Sequence, residues 1–133
     1  MDARCVCGDL IVALPGPTKA VAACHCRQCQ RRTGSPFGVA AYYEAREVTV
    51  TGPTKTFVRQ GQSGAKLTFS FCPRYGSNVF WSSSAHPLKL GIAVGSIADP
   101  TFPRPKNSLW EEAMHPWVSM HGVQGRFPAA LKR

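Results

Sequence analysis

Residues 24–29 read CHCRQC, and this stretch decides what kind of fold the chain requires. It places three thiols, Cys24, Cys26 and Cys29, within six residues of sequence. Thiolates that tight turns bring together are ligands that zinc accepts readily. Three protein ligands leave one tetrahedral position open, which is typical of a catalytic zinc that binds water or substrate there. The stretch therefore predicts an open zinc site, carried by a fold whose turns present the thiols.

Two alternatives for CHCRQC remain open at this point. In the first, the site is closed and structural, with His25 or a distant side chain as the fourth ligand. His25 is expected to point away from the metal, however, if the cysteines on either side of it point toward the metal. In the second, Cys26 and Cys29 form a redox-active C-x-x-C pair, which leaves Cys24 without a role. The open zinc site is the favoured interpretation.

The remaining three cysteines are predicted to form a second metal site. Cys5 and Cys7 make a C-x-C pair, and Cys72 lies in FCPRYGS, residues 71–77, in a C-P-x-x-G turn of the kind that presents thiolates. A metal bound by all three would tie together segments about 65 residues apart and offset the entropy of closing that loop. Alternatively, Cys72 is a buried free thiol that packs as a small apolar group. The ligand interpretation is favoured.

The rest of the chain reads as mainly β, because eleven prolines and twelve glycines interrupt short segments rich in β-branched and aromatic residues. The alternation in LTFSF, residues 67–71, is typical of a half-buried strand. One helical turn is predicted in RQCQRRTG with a stop at Gly34, and another in SLWEEAM, where Ser108 and Glu111 match a capping box. The predicted strands span residues 8–14, 20–24, 38–43, 48–51, 55–59, 66–71, 78–81 and 88–94.

Length and composition indicate one domain, residues 1–133, in a soluble cytoplasmic protein with reduced thiols. The N-terminus resembles no signal peptide, and no apolar run is long enough to cross a membrane. The formal charge of +9 is compatible with a nucleic-acid partner. A nucleic-acid module usually interleaves aromatic and basic residues, and RQCQRR contains no aromatic residue, so nucleic acid is not the favoured partner.

Three motifs together resemble the glutathione-dependent formaldehyde-activating enzyme (Gfa) family, also called the centromere protein V family. They are CVCGDL, CHCRQCQRRTGSPF and FCPRYGSNVFW, with weaker similarity in VGSIADP and SLWEEAMHPWVSM. The resemblance implies an Mss4-like fold, a mostly antiparallel β architecture built around zinc. It also implies a catalytic zinc at Cys24, Cys26 and Cys29 and a structural zinc at Cys5, Cys7 and Cys72.

The sequence departs from the family pattern at one structural ligand, because Tyr75 stands where the family has a fourth cysteine. A phenol, with a pKa near 10, is a poor zinc ligand at neutral pH. This replacement leaves three possibilities for the second site: a three-cysteine zinc completed by water or another side chain, a metal bound through the Tyr75 phenolate, or an empty site. The catalytic set is unaffected by the replacement.

The activity that the resemblance implies is carbon–sulfur lyase chemistry, in which glutathione and formaldehyde combine to S-hydroxymethylglutathione or the adduct is cleaved. Arg27, Arg31 and Arg32 lie beside the predicted catalytic zinc, where guanidinium groups are expected to bind the carboxylates of a glutathione-like thiol. The other interpretation is that they form a solvated surface. A different class of function is a zinc-stabilised binding module for nucleic acid or protein, without catalysis.

Two further expectations concern aromatic side chains in the second half of the sequence. The three tryptophans are expected to pack in the core, as large aromatic residues of small domains usually do; they are Trp81, Trp110 and Trp117. His115 precedes Pro116-Trp117 in a region that the family shares, so it is a candidate for lining the substrate cleft. The alternative for His115 is a partly exposed loop position.

Overall fold

The computed structural model describes residues 1–131, which form two β-sheets, one short α-helix and three 3-10 turns. The strands are, in chain order, β1 (Asp2–Arg4), β2 (Ile11–Ala13), β3 (Val21–Cys24), β4 (Gly38–Glu44), β5 (Thr49–Thr51), β6 (Lys55–Gln60), β7 (Lys66–Phe71), β8 (Asn78–Ser83), β9 (His86–Ala93), β10 (Asn107–Leu109) and β11 (Gly125–Arg126). The helix is α1 (Arg27–Thr33), and the 3-10 turns are Ala45–Glu47, Val94–Ser96 and Glu111–Ala113.

The two sheets differ in size and in strand direction. The smaller has the order β1-β2-β5 and is antiparallel, and the larger has the order β11-β10-β3-β4-β9-β8-β7-β6. In the larger sheet β10 pairs in parallel with β3 and with β11, and the other pairs are antiparallel. The mainly β prediction is confirmed, and the architecture is consistent with the Mss4-like type that the resemblance implies. No helix within residues 1–131 has both the length and the apolar character needed to cross a bilayer.

The hydrophobic core lies between the two sheets. It combines residues of the small sheet, such as Val12, with residues on one face of the large sheet, such as Val21 and Ile92. Side chains alternate between the two faces of a strand, so Val21 and Ala23 point into this core while Cys24 points to the opposite face. The large sheet therefore has a core face and an outer face, and the first cysteine stretch begins on the outer face.

Helix α1 covers part of that outer face and begins and ends as its sequence predicts. Cys26 is the N-cap residue, and its Sγ accepts a hydrogen bond from the Cys29 amide at 3.3 Å. Gly34 ends the helix in the left-handed conformation at φ 65°, which glycine adopts without steric cost. Gly38 on β4 permits the close approach of the helix, because a Cβ there would lie 2.8 Å from Arg32 Nη2 and 3.6 Å from Cys29 Cβ.

The eight predicted strands correspond to β2 through β9, and three short strands were not predicted. The second predicted helical turn is present only as the shorter 3-10 turn Glu111–Ala113, because Ser108 lies in β10. Parallel pairing of β10 with β3 overrides the local helical pattern. The turn begins at Trp110, which has φ 57° and makes no side-chain cap, so the capping box is not formed. Ser108 Oγ instead donates directly to Glu111 Oε2 at 2.7 Å.

Candidate functional site

The first cysteine cluster, Cys24, Cys26 and Cys29, lies where β3 ends and α1 begins. Cys24 is the last residue of β3, Cys26 caps the helix and Cys29 lies in the first helical turn. Their three sulfurs all lie within 4.8 Å of one another, and all three side chains are half-buried. Among the described residues, no histidine, aspartate or glutamate joins this group. The donor set therefore fits a soft metal ion with three protein ligands and one position left for a further ligand.

The thiols of this cluster interact strongly with one another. Hydrogen bonds from Cys24 and Cys29 hold the pKa of the Cys26 thiol well below its ordinary value. Hydrogen bonds with Cys26 and Cys29 raise the pKa of the Cys24 thiol. Burial raises the pKa of the nearby Tyr42 hydroxyl, and negative charge on Cys29 and Cys24 raises it further. The contacts within the cluster thus favour the thiolate at Cys26, and the thiolate is the form in which cysteine binds a metal ion.

His25 does not belong to this cluster, because its ring lies on the core face of the large sheet and is fully buried. Ser108 Oγ uses its hydrogen to bind Glu111, so it accepts from His25 Nε2 at 3.0 Å. Glu111 is in turn paired with Arg126 at 3.0 Å. Burial lowers the pKa of His25, which favours the neutral ring. The alternation of Cys24, His25 and Cys26 thus separates the two thiols from the histidine, as expected.

The second cysteine cluster, Cys5, Cys7 and Cys72, is held by two turns that face each other. The first turn closes through the Gly8 amide, which donates to the Cys5 carbonyl, and the second through the Gly76 amide, which donates to the Cys72 carbonyl. Both glycines have positive φ, at 78° and 98°. Cys7 Sγ lies 3.6 Å from Cys5 Sγ and 3.4 Å from Cys72 Sγ. The expected grouping of these three cysteines is therefore present.

Tyr75 does not complete the second cluster, because its side chain is 62% exposed and projects into solvent. Ser77 is closer to the thiols: its Oγ accepts from the Val6 amide at 3.5 Å. Burial raises the pKa of Cys5, but hydrogen bonds from Ser77, the Cys7 backbone and the other two thiols outweigh it and lower the pKa to about 7. The donor set fits a soft metal ion here as well, with three sulfurs and no protein thiol in the fourth place.

The three arginines of the CHCRQC region do not lie together. Arg27 is exposed on the first turn of α1, whereas Arg31 and Arg32 line a pocket of about 340 Å³ on the outer face. Arg32 donates to Asn78 Oδ1 at 3.0 Å, and its guanidinium lies 4.5 Å from the centre of the Trp81 ring. The pocket is lined by Gln28, Arg31, Arg32, Phe57, Arg59, Phe69, Phe71, Gly76 and Asn78.

Several pocket residues were not identified from the sequence, notably Arg59, Phe69 and Asn78. The alternation in LTFSF places Phe69 on the same face as Leu67, and the alternation in KTFVR places Phe57 with Arg59. The strands were therefore predictable, but the register that brings their side chains over α1 was not. Trp81 packs against Gly91, where an added Cβ would be 2.4 Å from Nε1, but it does so on the outer face of the large sheet and not in the core.

His115 and Trp117 lie near the other side of α1. His115 Nε2 donates to Gln30 Oε1 at 2.9 Å, and Gln30 Nε2 donates to the His25 carbonyl at 2.8 Å. His115 also lines a second surface pocket together with Gln30 and Arg31. Trp117 makes an edge contact with His115 and is 72% exposed, so the expectation that Trp117 packs in the core is wrong.

Comparison with known proteins identifies the class of this chain. The family model described as "Glutathione-dependent formaldehyde-activating enzyme" matches residues 1–113. The chain therefore belongs to the glutathione-dependent formaldehyde-activating enzyme family. A crystal structure of a Rhodobacter sphaeroides protein is similar over 96% of this chain and 99% of that one, with a TM-score of 0.54 and 20% identity, which shows the fold alone. The comparison with curated proteins gives no match.

Proposed function

We propose that the protein is a zinc-dependent carbon–sulfur lyase that joins a glutathione-like thiol to a small aldehyde such as formaldehyde, or cleaves the adduct. The observation that carries this proposal is the set of three half-buried thiols, Cys24, Cys26 and Cys29, which lie on the outer face of the large sheet beside a cationic pocket. Membership of the family supports the reaction class. In the forward direction the thiol sulfur bonds to the carbonyl carbon, and the thiol proton ends on the former carbonyl oxygen.

The proposal assigns different roles to the two cysteine clusters. Cys24, Cys26 and Cys29 would hold a catalytic zinc, and Cys5, Cys7 and Cys72 a structural zinc without the fourth family ligand. A zinc ion in the first site would supply Lewis acidity, lowering the pKa of a thiol ligand or polarising a carbonyl oxygen. Of the arginines predicted from sequence, Arg31 and Arg32 would bind substrate carboxylates, and their position in the pocket lining supports this role. Arg27 is exposed and does not line this pocket, so a role in binding substrate remains a prediction from the sequence.

The proposal also covers the organisation and surroundings of the protein. We infer that residues 1–133 act as a single domain of the Gfa type, in a cytoplasmic setting where its thiols remain reduced. Neither a membrane nor nucleic acid is a proposed partner. The alternative, a non-catalytic zinc-stabilised binding module for nucleic acid or protein, would use the formal charge of +9 instead. Salt-sensitive retention on DNA, without heat of binding for glutathione, would favour that alternative.

The test combines a metal count with an activity measurement. We expect two zinc ions per chain in the wild type and one in Cys26→Ala, measured by elemental analysis of the dialysed protein. Glutathione-dependent consumption of formaldehyde should fall about a thousandfold or more in Cys26→Ala, equivalent to about 4 kcal/mol of transition-state stabilisation. Arg46→Gln, on the exposed turn Ala45–Glu47, is the control and should match the wild type. A triple alanine variant of Cys24, Cys26 and Cys29 with the wild-type rate would refute the proposal.

A further inference from the structure

A row of directly paired residues crosses the outer face of the large sheet. The strand register pairs Tyr42 with Gly91, Gly91 with Trp81, Trp81 with Phe69, and Phe69 with Phe57. Directly paired residues on neighbouring strands share a face of the sheet, and the strands lie about 4.8 Å apart. The row therefore runs over five strands, from β4 to the edge strand β6. Four of its five members are aromatic.

Two arginines lie over this row. The guanidinium of Arg32 is 5.7 Å from the centre of the Phe69 ring, and that of Arg59 is 5.3 Å from the same ring. Arg32 is further fixed by Asn78 and by the Trp81 ring. Stacked guanidinium groups keep their N–H edges available, and these edges match a carboxylate in a bidentate arrangement. The two side chains are thus held in place before any ligand arrives.

No carboxylate balances the positive charge of this pocket within the described part of the chain. The ion pairs in residues 1–131 involve Arg4, Arg74, Lys89 and Arg126, and none involves Arg31, Arg32 or Arg59. The pocket lining contains no aspartate or glutamate. Three guanidinium groups around an aromatic floor without a carboxylate partner favour an anionic ligand.

The pocket lies directly beside the first cysteine cluster. Arg32 Nη2 and Cys29 Cβ both approach the Cβ position of Gly38, at 2.8 Å and 3.6 Å. Cys24 pairs with Gly38 across the β3–β4 ladder, so it points to the same face as the aromatic row. A ligand bound by the arginines therefore has its other end within reach of the thiol cluster. The volume of about 340 Å³ is within the range of small-molecule pockets.

We propose that Arg59, together with Arg31 and Arg32, recognises a carboxylate of the thiol substrate, and that Arg59 determines the preference for anionic over neutral thiols. The identity of the ligand as a thiol rests on the proposed function, whereas the preference for a carboxylate rests on the pocket itself. Phe57 and Phe69 supply an apolar floor for the part of the ligand that joins the carboxylate to the sulfur. The class of substrate is thus a small carboxylate-bearing thiol, with its sulfur directed toward Cys29.

The test measures binding separately from catalysis. S-Methylglutathione keeps both carboxylates but has no free thiol, and its affinity for the zinc-loaded full-length protein is measured by titration calorimetry. Arg59→Gln should weaken binding about tenfold or more, as expected when a charged hydrogen bond is lost. Arg59→Lys should retain more of the affinity than Arg59→Gln, because it keeps the positive charge. The surface control Arg46→Gln should bind with the wild-type affinity. Arg31→Gln, on the exposed side of α1, tests the same pocket should Arg59→Gln not fold.

The outcomes distinguish this inference from the proposed function. S-Methylglutathione that binds Arg59→Gln within twofold of the wild type, or that does not bind the wild type, overturns the inference, whatever the activity of Cys26→Ala. Weakened binding in Arg59→Gln supports the inference, even where Cys26→Ala consumes formaldehyde at the wild-type rate and the proposed function fails. In the catalytic assay, Arg59→Gln should raise the KM for glutathione at least about tenfold more than it raises the KM for the neutral thiol 2-mercaptoethanol.

Discussion

The two cysteine clusters have the same donor atoms but opposite surroundings. Cys5 and Cys72 are buried at the edge of the core, between two glycine turns that close onto each other. Cys24, Cys26 and Cys29 are half-buried on the outer face of the large sheet, next to a pocket lined by arginine and phenylalanine. Two clusters with the same three thiols can therefore have different functions, because their surroundings determine whether a small molecule can approach the sulfurs.

Replacing a buried thiol of the second cysteine cluster should destabilise the protein more than replacing a half-buried thiol of the first. Cys72→Ala should lower the free energy of unfolding by more than about 4 kcal/mol, because the proposed metal site, which joins distant segments, would lose a ligand. Cys29→Ala should lower the free energy of unfolding clearly less, because its half-buried cluster lies where one strand meets one helix and does not join distant segments. Urea unfolding of both variants, followed by tryptophan fluorescence, measures the difference. Equal losses in the two variants would remove the distinction between a structural and an accessible cluster.

His25 lies in sequence between two thiols of the first cysteine cluster, but its ring is buried on the core face of the large sheet. Ser108→Ala removes the only partner of the buried His25 Nε2 among the described contacts, so we expect a loss of about 1–3 kcal/mol in the free energy of unfolding. The zinc content should stay at that of the wild type, because His25 points to the core and not to the sulfurs. Ser63→Ala, in an exposed turn, is the control. A fall in zinc content would place His25 in the metal site after all.

Much of the fold was accessible from the sequence because its signals are local. Proline and glycine divide the chain into short segments, and β2 through β9 follow those divisions. Strands β10 and β11 have only three and two residues. They form because β10 pairs in parallel with β3 and β11 pairs in parallel with β10. Such pairing depends on where the chain returns in space, and no local pattern near Ser108 reveals it.

The candidate site, like the fold, could be predicted from the sequence only where local spacing determines it. The first cysteine cluster follows from spacing, because its three thiols lie within six residues, whereas the grouping of Cys72 with Cys5 and Cys7 also requires two distant turns to meet. Arg59 and Phe69 come from strands far along the chain from α1, and sheet register alone brings them over Arg32. Arg27 shows the converse, since closeness in sequence to Cys26 did not place it in the pocket. Spacing thus predicts candidate metal ligands, whereas the lining of the neighbouring pocket can be read only from the tertiary structure.

A smaller change in stability is expected at the fourth ligand position of the second cysteine cluster, where this chain has Tyr75 and not a cysteine. Tyr75→Cys should restore the fourth thiol of the family pattern and raise zinc affinity at least about tenfold, which adds about 1.4 kcal/mol of stability when zinc is saturating. The exposed Tyr75 ring makes few contacts that the change would remove. Tyr75→Ser, which shortens the side chain without adding a thiol, is the matched control and should leave affinity unchanged. Competition with a chromogenic chelator and thermal melting measure both quantities. If Tyr75→Cys changes neither, the turn at Cys72 does not bind metal, and the three thiols there only pack.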